Sequence, residues 1–119
     1  MKYLMLVKHA EGYRNHAIPK ALSAAMGEFV GEGLKSGVLK DTAGLRPTAE
    51  GFRVRSSGNR LKVTDGPFTE AKEIIGGYAM IEVASREEAL KTARDFMELH
   101  RLHWPEFEGE CEVRPLEGM

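Results

Sequence analysis

Gly77-Tyr78-Ala79-Met80-Ile81-Glu82-Val83, followed at once by Ser85-Arg86-Glu87-Glu88-Ala89-Leu90, is the stretch that decides the fold. Its first seven residues are apolar with little alternation, as in a strand inside a sheet. Ser85 with Glu88 three residues on makes a capping box. Ala89, Leu90, Ala93, Phe96 and Met97 then recur at helical spacing, which predicts a helix from Ser85 to about Leu99. A loop with Trp104-Pro105 follows, then a last strand, Cys111-Glu112-Val113-Arg114.

The same order stands earlier in the chain. Tyr3-Leu4-Met5-Leu6-Val7 reads as a second central strand. His9 to Ile18 is polar and irregular. Pro19 to Ser36 predicts a helix with Pro19 in the first turn and a stripe of Leu22, Met26, Phe29, Val30 and Leu34. Gly37 supplies a left-handed stop, and Val38-Leu39 opens a strand running irregularly to Leu45. Between the halves, Phe52-Arg53-Val54-Arg55 and Leu61-Lys62-Val63 alternate around Ser57-Gly58-Asn59, a hairpin partly exposed on one face. The fold class is therefore α+β, a ferredoxin-like βαββαβ pattern with an inserted β-hairpin. Two helices cover only one sheet face. The central strands look apolar on both, so a second copy of the sheet is the expected cover, and a homodimer the expected assembly.

Length and charge narrow the classes. The 119 residues suit a single domain, 1–119, large enough for one real core. Seventeen basic and 18 acidic residues are interspersed, with a net charge of −1, which argues against nucleic acid as the partner. The lone cysteine, Cys111, rules out an internal disulfide and suits a reducing, cytoplasmic compartment. Neither a signal peptide nor a membrane span is expected.

Val63-Thr64-Asp65-Gly66-Pro67-Phe68-Thr69-Glu70-Ala71-Lys72-Glu73 resembles the signature of the DGPF branch of the YCII-related proteins. The opening Met1–Leu6, the Gly37-Val38-Leu39 helix exit, the Gly76-Gly77-Tyr78 strand start and the closing Glu112–Pro115 resemble it too. The resemblance spans essentially the whole chain. It implies a dimeric α/β barrel formed by sheet packing, in a family whose members mostly have no established biochemical function. Some members occur beside or fused to sigma factors of the extracytoplasmic-function type. In the broader YCII group a His–Asp pair has been proposed as an active site. The first helix here, Pro19 to Ser36, holds no histidine, so that pair is not carried over.

The signature has two readings. As a tight turn, Gly66 takes a conformation closed to other residues, Pro67 fixes the next φ, Asp65 caps the loop's N–H groups and Phe68 plugs the core. As a site, Asp65, Glu70, Lys72 and Glu73 crowd opposite charges at a loop, where they can shift each other's pKa and move protons. On that reading Asp65 is the acid–base group and His9, at the exit of the first strand, its partner. Lys72, Glu73 and Phe68 then border the ligand, with Lys72 holding an anionic group. His9 is otherwise an exposed histidine at a loop start.

His100-x-x-His103 sits near a helix end, but nothing else resembles a zinc motif, and no metal site is expected. Cys111 reads as a small hydrophobe, and Trp104 with Phe107 as packing aromatics. No phosphate loop or nucleophile elbow is present, so no cofactor is expected. Two functions stand: a cofactor-free enzyme or binder for a small polar metabolite, and a non-catalytic sensing or regulatory module.

Overall fold

The computed structural model describes residues 1–12 and 17–118. The part of the irregular stretch His9–Ile18 at 13–16 lies outside the described residues. The elements run β1 (Lys2–His9), α1 (Lys20–Ser36), β2 (Leu39–Gly44), β3 (Phe52–Ser57), β4 (Arg60–Asp65), β5 (Ile74–Glu82), α2 (Arg86–His103) and β6 (Gly109–Pro115). A 3-10 turn, Thr48–Glu50, precedes β3. The class is α+β, with antiparallel pairing throughout.

The main sheet has strand order β2-β5-β1-β6. The two apolar runs of the sequence, β1 and β5, are its centre. Alternation along β1 buries Tyr3, Met5 and His9 and leaves Leu4, Leu6 and Lys8 half-buried. The core is Tyr3, Met5, Leu39, Ile81, Val83, Ala89 and Ala93, with Val30 and Phe96 packed against it, so both helices lie on one face. On the other face, register sets Leu4 opposite Met80 and Leu6 opposite Tyr78. The double-sided cover expected for the central strands is thus present on one side within the chain.

Helix ends follow local chemistry. Pro19 stands at the N-cap of α1 rather than inside it, and Gly37 ends it at φ 85°. Ser85 Oγ accepts from Glu88 N at 3.2 Å, while the Glu88 carboxylate accepts from Ala84 N at 3.0 Å. Three details depart from expectation. Leu34 and Leu90 are exposed, not part of the buried stripes. Helix α2 runs on to His103, past the expected end at Leu99. The hairpin β3–β4 forms a separate two-stranded sheet exposed on both faces. Phe52, Val54, Leu61 and Val63 all remain open on it. The radius of gyration, 15.9 Å, reflects this projecting arm. A compact chain of this length has about 13–14 Å.

Candidate functional site

The helices do not close fully on the sheet. A cavity of about 560 Å³ remains between α1, α2 and the strands, within the range of small-molecule pockets. Met5, Val7 and Ala79 form its floor, and Leu22, Met26 and Phe96 its walls. No lysine or arginine lines it among the described residues; its charged side chains are Glu32 and Asp95. Asp95 is already paired with Lys91 at 2.8 Å.

Among the described residues two histidines stand in this mostly apolar lining, each 7 % exposed. His9 is the last residue of β1, on the helix-covered face. Its Nδ1 donates to the Ala10 carbonyl at 2.7 Å. The pairing of β1 with β5 slips between Val7 and Lys8, and Gly76 falls in that slip. A Cβ on Gly76 would stand 2.0 Å from His9 Nε2, so the glycine makes the room the imidazole occupies. His9 is therefore buried, which corrects the exposed-loop alternative.

His100 comes from α2. Its Nδ1 donates to the Phe96 carbonyl one turn back, at 3.1 Å. The ring lies between Phe96 and Phe107, with both centroids 4.9 Å away. Phe107 in turn packs on Trp104 at 5.4 Å and meets His9 at 6.0 Å. Burial lowers the His100 pKa below its usual value, and a charge on His9 would lower it further. At neutral pH His100 is an uncharged imidazole. Sequence reasoning weighs it as a metal ligand or as a histidine favoured at a helix C-terminus, not as a cavity residue. The signal is available in the spacing, since His100 continues the inward-facing series Ala89, Ala93, Phe96.

The other sequence-predicted residues lie elsewhere. Asp65 ends β4, opposite Phe52, and is exposed. Its carboxylate has no hydrogen bond or ion pair among the described residues, and it lines neither cavity. The turn is held instead by Thr48. Its hydroxyl accepts from Phe68 N at 3.1 Å and donates to the Glu11 carboxylate, while Gly66 N donates to Gly51 O at 2.9 Å. The peptide between Gly66 and Pro67 is cis. Gly66 is not at positive φ, as the turn reading required. It is needed because a Cβ there would stand 1.7 Å from the Thr48 carbonyl oxygen. Phe68 does not plug the core. It is half-buried under the Arg53 guanidinium, 3.8 Å from the ring centroid, and Arg53 pairs with Glu70.

Lys72 and Glu73 border a second cavity of about 300 Å³ with Ala10, Glu108 and Glu110. The structure therefore brings Lys72 and Glu73 together but separates them from Asp65, and places His9 in the larger cavity. Cys111 packs against the core, where burial pushes its thiol up to about 11. That suits a hydrophobe rather than a nucleophile. Among the described residues no cluster of three metal-ligating side chains forms, and no helix is long and apolar enough to cross a membrane.

The outer sheet face carries a charged rim. Lys8 bridges Glu112 at 3.0 Å and Glu110 at 3.3 Å, which raises the lysine pKa and lowers that of Glu112. The Tyr78 hydroxyl donates to Asp41 at 2.9 Å, which raises the tyrosine pKa.

An uncharacterized protein of Rhizobium meliloti (strain 1021) is 36% identical over 99 residues, covering 83% of this chain and 73% of that protein. The profile of the YCII-related domain matches residues 1–98, from β1 through most of α2. The chain belongs to the YCII-related domain family.

Proposed function

We propose that the protein binds a small molecule in the cavity between helices and sheet, without a cofactor, as a homodimer of the DGPF branch. The observation that carries this reading is the cavity itself, about 560 Å³ of apolar space with His9 and His100 set into its wall. Packing at protein density leaves few voids larger than a water, so a space this large in a chain this small implies an occupant. Of the expected acid–base residues, His9 belongs to this site. The stretch Val63–Glu73 supports the DGPF placement, and the strand order β2-β5-β1-β6 supports the ferredoxin-like description. The half-buried patch of Leu4, Leu6 and Met80 supports pairing through the outer sheet face.

The test is a thermal-shift screen with neutral aromatic compounds of naphthalene size. A ligand at a hundred times its Kd stabilises the native state by about 2.7 kcal/mol, a readily measured rise in melting temperature. Met26→Trp, which fills the cavity from α1, removes the shift and leaves the circular dichroism spectrum unchanged. A panel that produces no shift, or a shift untouched by Met26→Trp, overturns the reading.

A further inference from the structure

His100 brings to the cavity a ring nitrogen that no described residue satisfies. His100 is 93% buried by its 7 % exposure, and it lines the cavity. Its Nδ1–H is committed to the Phe96 carbonyl, because a carbonyl can only accept. That fixes the tautomer and leaves Nε2 with a lone pair. No described residue hydrogen-bonds to Nε2. A buried acceptor without a donor is costly, and native structures rarely keep one without a reason. Packing between Phe96 and Phe107 also holds the ring in one orientation, as a recognition group requires.

We infer that His100 is the polar anchor of the cavity, accepting through Nε2 a hydrogen bond from the hydroxyl of a neutral, otherwise apolar ligand of the phenol or alicyclic alcohol class. This rests on the cavity being a binding site and adds what the site selects. The lining supports each part of the class. Aromatic and aliphatic side chains make up most of the wall and demand an apolar body. Among the described residues no lysine or arginine lines the cavity, while Glu32 and Asp95 do, which disfavours carboxylates and phosphates. A lone-pair nitrogen in such surroundings selects a donor, and a hydroxyl is the smallest group that supplies one. An ether of the same shape leaves Nε2 unpaired and brings a second acceptor towards it.

The experiment is equilibrium binding of 2-naphthol, 2-methoxynaphthalene and 2-naphthoate to the full chain, followed by calorimetry or intrinsic ligand fluorescence. Wild-type protein is expected to bind 2-naphthol about tenfold or more tightly than the ether, with the carboxylate weakest. His100→Phe keeps the ring shape and removes the acceptor, so the two neutral ligands should bind alike. His100→Gln returns a carbonyl acceptor near the same place and should restore part of the preference. Equal wild-type affinity for naphthol and ether overturns the anchor while leaving the cavity reading intact. A preference that survives His100→Phe does the same. Failure of all three compounds to bind overturns both, and the wild-type series decides the anchor even without a folded variant.

Discussion

Gly66 and Gly76 are small because something comes close, whereas Gly37 and Gly58 are small because the backbone turns left-handed. At Gly66 the neighbour is the Thr48 carbonyl, itself fixed in a 3-10 turn, so neither side can move cheaply. Gly58 has φ 57° and open space around it. Alanine at Gly58 should therefore cost only the left-handed penalty, about 1 kcal/mol. Gly66→Ala should cost clearly more. Urea denaturation of the two variants checks the order, and equal losses would mean that the Thr48 turn yields.

His100 makes a second prediction at this scale. Its folded-state pKa lies below the unfolded value of about 6.5. Above pH 6.5 the group is neutral in both states and has no effect. As pH falls below that value the unfolded chain takes the proton first, so stability declines until the depressed folded pKa is passed. The urea midpoint should drop between pH 7.5 and pH 5.5, and by less in His100→Phe. His9, Glu32 and Asp95 also line the cavity, so the difference between the two proteins is the quantity to read.

Among the elements, those with an internal signal are legible in the sequence alone. The Ser85/Glu88 capping box fixed the start of α2. Gly58 and Asn59, both at positive φ, match the turn that a two-residue hairpin needs. What failed depended on tertiary partners. The apolar stripe alone ends α2 too early because His100 looks polar, yet it is the position that turns into the cavity. The hairpin's alternation of Phe52, Val54, Leu61 and Val63 against Arg53, Arg55, Arg60 and Lys62 shows two faces but cannot say what covers the apolar one. The candidate site was legible only at His9. The Asp65–Glu73 stretch drew attention through its crowded charge, whereas the cavity is formed by residues far apart in sequence that carry almost none.

At the scale of the molecule, the described residues leave apolar surface uncovered on the outer face of the main sheet and on one face of the hairpin. A lone two-stranded hairpin is marginal in water, and apolar patches of this sort mark interfaces. A homodimer through the sheet face should bury about 2,000 Å² or more. Light scattering at micromolar concentration should give twice the 13.2 kDa chain mass. Leu6→Glu, which sets a charge in the middle of that face, should yield a folded monomer. A wild-type mass of one chain would refute the assembly.

The strand order has a consequence for how copies can grow. β2 and β6 are the open edges of the main sheet. β6 carries Glu110, Glu112 and Arg114 and ends at Pro115; β2 carries Lys40 and Asp41 and slips register between Leu39 and Asp41. Charge, proline and an irregular ladder are the features that stop another chain from adding a strand sideways. The apolar runs of β1 and β5, the kind of sequence prone to cross-β stacking, are kept in the interior of the ladder where no edge is offered. Face-to-face packing of copies would leave the ladder at four strands, with both of its edges defended against strand addition.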